Sequence, residues 1–246
     1  MDKRKRALRI AGGFIVAAVF FCLIVCAVYL AGYYRADNAA QTALQSDGTV
    51  TVQMTNDSIV FAGPDYDPDD TRGLVFYPGA NVEFTAYAPL AHALAADGWR
   101  VVLVHMPLNH AFFDIDAATN AMERNNDVER WFVGGHSLGG AMAAMYAAEH
   151  TSDIVGLVLC ASFSTADLSD TELQVYSAYG SNDGVLNRDS YAKNWSNLPQ
   201  IAIHELVIPG GNHAQFGSYG KQKGDNDATI AAQEQCAHVV SFLHAA

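Results

Sequence analysis

The chain has 246 residues, half of them hydrophobic and only 16% charged. That composition excludes a disordered or low-complexity polymer. The net charge is −12, yet Lys3, Arg4, Lys5, Arg6 and Arg9, five of the fourteen basic residues, crowd into the first nine positions, so the remainder is more acidic still. A surface of that sign repels a phosphate backbone, so no nucleic-acid partner is expected, and four cysteines are too few for a disulfide scaffold.

Residues 1–9 read as a basic cytoplasmic tail. From Ile10 to Tyr34 there is no charge, and most residues are Ile, Val, Phe, Leu or Ala. As a helix rising ~1.5 Å per residue, this run reaches roughly 37 Å, enough to cross a ~30 Å hydrocarbon core. Tyr29, Tyr33 and Tyr34 stand at its far end, where interfacial aromatics collect, and the basic cluster holds the near end in the cytoplasm. The expectation is a transmembrane signal anchor over 10–34: one pass through the cell membrane, the lipid bilayer as partner, and the rest of the chain outside the cytoplasm.

A cleavable signal peptide is the rival. Its apolar core is normally shorter, and neither Leu30-Ala31-Gly32 nor Asn38-Ala39-Ala40 makes a good cleavage site. Cys22 and Cys26 lie inside the span. Cys160 and Cys236 lie beyond it and read as buried free thiols, although spacing alone leaves a disulfide open.

Residues 35–47 are polar and Ala-rich and read as a linker, so removal of residues 1–35 is expected to leave a folded domain over 48–246. In that domain, residues 48–54 and 58–62 form a hairpin about Asn56-Asp57. Beyond the Asp/Pro-rich loop 64–70, apolar strands over 73–77, 100–105, 130–134, 156–160, 173–179 and 201–208 alternate with helical patterns over 84–96, 115–124, 138–150 and 229–244. Strands without polar alternation are buried on both faces, as in a parallel sheet flanked by helices. The expected fold is α/β, an eight-stranded and mostly parallel sheet, plus one N-terminal transmembrane helix.

Gly135-His136-Ser137-Leu138-Gly139 is a G-x-S-x-G sequence. It falls between a strand and a helix, where a nucleophile elbow belongs. A serine hydroxyl needs a base, and the base needs an orienting acid. Asp183 follows the strand over 173–179, and His213 follows the last strand in Pro209-Gly210-Gly211-Asn212-His213. Both therefore reach the edge of the sheet where Ser137 lies.

The other histidines fit worse. His92, His150, His238 and His244 lie on helices, His204 is mid-strand, His136 is inside the elbow, and His105 and His110 flank a loop. The oxyanion needs two N–H donors. Leu138 is one; the other comes from Pro78-Gly79-Ala80-Asn81, with Ala80 preferred and Gly79 second. H-E-x-x-H, a P-loop and G-x-G-x-x-G are absent, so neither a metal nor a cofactor is expected.

Residues 73–244 resemble small α/β-hydrolases of the "α/β-hydrolase fold-5" type. The stretches that carry the likeness are Phe76-Tyr77-Pro78-Gly79, His105-Met106-Pro107-Leu108-Asn109, Gly134-Gly135-His136-Ser137-Leu138-Gly139-Gly140, Tyr179-Gly180-Ser181-Asn182-Asp183-Gly184 and Gly211-Asn212-His213-Ala214-Gln215-Phe216-Gly217. The resemblance implies a Ser137–His213–Asp183 triad and hydrolase activity; it supplies no substrate.

The leading expectation is a membrane-anchored serine hydrolase, carboxylesterase-like, acting on a small acyl or ester substrate through an acyl-enzyme. Acyl transfer on the same triad and a catalytically silent anchored binding domain are the alternatives. Residues 161–172 are too few for a cap, so the site should be shallow, rimmed by Phe112, Phe113, Phe163 and Phe216, and suited to short acyl groups.

Overall fold

The computed structural model describes residues 12–22, 24–25, 32–63, 71–244 and 246. The chain divides into two units, 1–33 and 34–246. In the first, residues 12–22 and 24–25 are helical. Among the described residues no helix is long and apolar enough to cross a membrane. The basic tail 1–9, Cys26 and the remaining parts of the expected anchor (10–11, 23 and 26–31) lie outside the described residues.

The second unit is built on one sheet. Its strands are β1 (Thr51–Met54), β2 (Ser58–Ala62), β3 (Arg72–Tyr77), β4 (Trp99–Val104), β5 (Arg130–His136), β6 (Gly156–Cys160), β7 (Gln174–Gly180) and β8 (Ile203–Ile208). They lie in the order β1-β2-β4-β3-β5-β6-β7-β8. β2 pairs antiparallel with β1 and with β4; every other pairing is parallel. The order turns back at β3, which has β4 on one side and β5 on the other. That reversal opens a crevice at the strand ends, the usual place for a site in an open α/β sheet.

The helices are α1 (Asn38–Ala43), α2 (Ala88–Ala96), α3 (Ala117–Glu123), α4 (Leu138–Glu149), α5 (Arg188–Asn194) and α6 (Ala232–Leu243). Successive strand side chains point to opposite faces, so β3 feeds two cores. Leu74 and Phe76 join Leu94, Trp99 and Phe132 on one face; Val75 and Tyr77 join Val102, Val133 and Leu159 on the other.

Two elements depart from the sequence pattern. Within 35–47, read as a linker, Asp37 caps α1 by accepting the N–H groups of Ala39 and Ala40, and Ala40 and Leu44 are buried in the core. Their four-residue spacing puts them on one helix face. The polar stretch after Asp183 forms α5, capped by Asn187 through a 2.8 Å bond from the Ser190 N–H. It has too few apolar residues to announce itself by periodicity.

Candidate active site

β5 runs into α4 through a single residue, Ser137, held at φ 54° and ψ −123°. A non-glycine side chain there is strained, and the surroundings hold it. The Ser137 N–H donates to the Cys160 carbonyl at 2.9 Å, and the Ser162 hydroxyl donates to the Ser137 carbonyl at 2.7 Å. Strand and helix come together because Gly135 and Gly139 carry no Cβ. An added Cβ at Gly139 would lie 2.3 Å from the carbonyl oxygens of both Tyr77 and Pro78. The first-turn amides of α4 lack intrahelical acceptors and no side chain caps them, so their N–H groups and the positive end of the helix dipole face the crevice.

Asp183 and His213 come from separate loops and meet in the interior. His213 Nδ1 is 2.8 Å from Asp183 Oδ2, with side-chain exposures of 1% and 0%. The other carboxylate oxygen accepts the N–H groups of Val185 at 2.8 Å and Leu186 at 2.7 Å. Burial pushes the Asp183 carboxyl up, but the His213 bond and charge and the two amides outweigh it and hold it below the usual carboxylate range. An ionised carboxylate only accepts, so Nδ1 carries the imidazole proton and Nε2 keeps its lone pair. Among the described residues, His213 Nε2 is buried and has no hydrogen-bond partner.

The loop that carries His213 is gripped from behind by Gln235, a fully buried residue of α6. Its Oε1 accepts the Asn212 N–H at 3.0 Å and its amide nitrogen donates to the Asn212 carbonyl at 2.9 Å.

The loop after β3 sorts its own N–H groups. Pro78 has none. The Gly79 N–H donates to the Tyr87 hydroxyl at 2.9 Å, the Asn81 N–H to the Asn109 carbonyl at 3.0 Å, and the Val82 N–H to the Gly79 carbonyl at 3.2 Å. Among the described residues the Ala80 N–H forms no such bond, so Ala80, not Gly79, keeps a donor free.

Tyr87 also lies 2.9 Å from His136 Nδ1. Tyr87 Oη thus receives the Gly79 N–H and also shares a hydrogen bond with His136 Nδ1, whose direction follows the His136 tautomer. Burial, and then the charge of His213, push the His136 pKa well below 6.5. His136 is thus a neutral ring, its centroid 4.4 Å from that of His213. The sequence placed His136 inside the elbow and Tyr87 on a helix; that the two meet across 49 residues is a tertiary fact.

Two expectations change here. Phe216 is buried and stacks on His136, so it does not rim the site, whereas Phe112 and Phe113 are exposed and Phe163 is half-buried. The Tyr34 N–H donates to the Asn81 carbonyl at 2.7 Å, its carbonyl accepts the Glu83 N–H, and the Ala36 N–H reaches Glu83 Oε2. A cut after residue 35 would therefore unpin the loop that carries Ala80. Residues 217–231, after the His213 loop, form neither helix nor strand.

His105 stacks on Phe84, and His110 Nδ1 bonds the Leu108 carbonyl; neither joins the Ser137 group. Cys160 and Cys236 are free thiols, and burial pushes Cys160 up to about 12. Among the described residues no three His, Cys, Asp or Glu side chains gather as a metal would require. A cavity of about 600 Å³ opens between α2 and α6, lined by Leu90, Phe216, Cys236 and Val239 among others. Ser137, Asp183 and His213 do not line it; they lie at the strand ends.

Residues 73–237 match the model of the alpha/beta hydrolase family. The chain belongs to the alpha/beta hydrolase family. The hydrolase is also similar to the crystal structure of a predicted CIB-like hydrolase from Thermoplasma acidophilum. That match has 14% identity and a TM-score of 0.55, and it covers 80% of this chain and 100% of the other. At that identity the likeness concerns the fold alone. No curated protein matches the hydrolase.

Proposed function

We propose that this α/β-hydrolase is a membrane-anchored serine hydrolase of carboxylesterase type, cleaving small ester-like acyl substrates through Ser137, His213 and Asp183. One observation carries the reading: a strained Ser137 at the start of α4 shares a sheet edge with a sealed His213–Asp183 pair whose Nε2 is left without a partner.

In this mechanism Nε2 takes the Ser137 proton as Oγ attacks the substrate carbonyl. The oxyanion receives the N–H groups of Leu138 and Ala80. His213 then returns the proton to the leaving alkoxide, giving an acyl-enzyme. Water, deprotonated by the same Nε2, attacks the acyl carbonyl, and Ser137 leaves with its proton restored. Asp183 stays ionised throughout and stabilises the imidazolium.

The substrate preference rests on the connection between β6 and β7. Residues 161–173 contain no helix, so no cap covers Ser137 from there. An open site buries little of a long chain, and at ~0.8 kcal/mol per buried CH₂ the gain ends after a few carbons. Acetyl and butyryl p-nitrophenyl esters are the expected substrates; a kcat/KM that keeps rising through palmitoyl would reject this preference. Of the expected span 10–34, Tyr34 is bonded into the hydrolase unit, so the anchor is proposed over the residues before it, with the catalytic domain outside the cytoplasm; protease added to intact cells should then remove that domain, and protection of the whole chain would refute the topology.

The deciding test is Ser137→Ala in the full chain, assayed with p-nitrophenyl butyrate and a fluorophosphonate probe. Loss of both turnover and labelling, with cooperative unfolding preserved, is expected. Full turnover by the variant would overturn the mechanism.

A further inference from the structure

The acid and the base lie on different loops, 30 residues apart in sequence. Something must hold those loops in register for Nδ1 and Oδ2 to stay at 2.8 Å. The segment after His213 supplies it. One oxygen of Asp225 accepts the Gly184 N–H at 3.0 Å, next to Asp183; the other accepts the Ala214 N–H at 2.8 Å, next to His213. A single carboxylate thus ties the residue following the acid to the residue following the base.

The neighbours of Asp225 repeat the pattern. The Asn226 carbonyl accepts from the Asn212 side chain at 2.7 Å, on the base loop. The Asp227 carbonyl accepts from the Asn182 side chain at 3.2 Å, on the acid loop. The fit is close: a Cβ on Gly184 would lie 2.8 Å from the Gly224 carbonyl oxygen and 3.0 Å from the Asn226 nitrogen. Further back, the Lys223 N–H donates to the Tyr34 hydroxyl at 3.0 Å, and the Tyr34 backbone holds the Asn81 carbonyl of the Ala80 loop.

We infer that Asp225 is a positioning residue of this site, a carboxylate clamp that fixes the Asp183–His213 geometry through the backbone on either side. The inference rests on the serine-hydrolase reading. Asp225 touches neither reacting atoms nor substrate; it acts through the two loops. A carboxylate suits the role because both its oxygens accept, and bonds from backbone N–H to an ionised acceptor are the stronger kind. An amide cannot replace it, since its NH₂ would face one of the two N–H donors.

The test uses the full chain with p-nitrophenyl acetate as substrate and a fluorophosphonate to titrate active sites. In Asp225→Asn, kcat per titrated site should fall by about a hundredfold, the scale of a small misplacement of catalytic groups, with KM within about twofold. The far-downfield proton resonance of His213 Nδ1–H should broaden or vanish in the same variant. A merely structural Asp225 would lower the unfolding midpoint while leaving both readouts at wild-type values per folded molecule, and that result overturns the clamp.

Should Asp225→Asn not fold, Asp225→Glu carries the test. One added methylene shifts the two loops relative to each other, and a loss of about tenfold per titrated site is expected; wild-type turnover would overturn the clamp. If the wild-type chain itself escapes the probe, the serine-hydrolase reading falls, while the Nδ1–H resonance still reports on the clamp.

Discussion

Asp183→Asn is the substitution for which the structure prescribes the outcome most fully. Asp183 meets three donors: His213 Nδ1–H on one oxygen, and the Val185 and Leu186 N–H groups on the other. Asparagine has one oxygen and one NH₂. Two backbone amides at 2.7–2.8 Å demand the oxygen, so the NH₂ is turned toward His213 Nδ1. A donor there forces the imidazole to accept at Nδ1 and to carry its proton on Nε2. The nitrogen that should receive the Ser137 proton is then already protonated.

The fold should survive, because shape and the two backbone bonds are kept. Loss of the correct tautomer costs roughly 10⁴ in kcat in a protease triad. At ~1.36 kcal/mol per decade this is about 5 kcal/mol of transition-state stabilisation. The assay is kcat for p-nitrophenyl acetate, normalised to intact folded protein, with KM measured alongside. A variant within about tenfold of wild type would refute the tautomer argument, because an imidazole protonated at Nε2 cannot act as that base.

Tyr87→Phe leaves the Gly79 N–H and His136 Nδ1 buried without partners; at ~1–3 kcal/mol for each unsatisfied group, an unfolding free energy lowered by at least that much in denaturant titrations is expected, with kcat reduced as the Ala80 loop loosens. Unchanged stability would contradict the hydrogen-bond chain. Gly139→Ala brings a Cβ to 2.3 Å from two backbone oxygens, so the elbow must open; about 1–3 kcal/mol of destabilisation and loss of fluorophosphonate labelling should appear together, and a labelled, stable variant would refute the packing argument.

Acid should weaken the fold in two stages. Native His136 refuses a proton that the unfolded chain takes up near 6.5, so its contribution is full above that pH and is lost as pH falls below it. The native carboxyl of Asp183 lies below the ordinary 3.8, so its contribution is present above that value and disappears as pH falls through the native one. Urea unfolding of wild type and His136→Asn from pH 8 to 3 checks this. The difference between the two should narrow between about pH 6.5 and 5, and a constant difference would contradict a buried neutral His136.

Much of this protein was legible in one dimension. Strand runs such as Leu74-Val75-Phe76 and Leu157-Val158-Leu159 show no polar alternation because both faces of those strands are buried. The glycines around Ser137 mark a place where strand and helix backbones touch, and Asp183 and His213 each follow a strand at the same edge. These features are local, or follow from chain order and the handedness of parallel connections. What only the tertiary structure decided are pairings between distant polar atoms. The hydroxyl of Tyr87 takes the amide of Gly79 and so leaves Ala80 as the free donor. Asp225 joins Gly184 to Ala214, and Tyr34, read in the sequence as the end of the apolar span, is bonded into the second unit. Hydrophobic burial recurs with a period that a sequence displays. A hydrogen bond between residues tens of positions apart has no period, because it depends on a few tenths of an ångström set by the packing of everything between them.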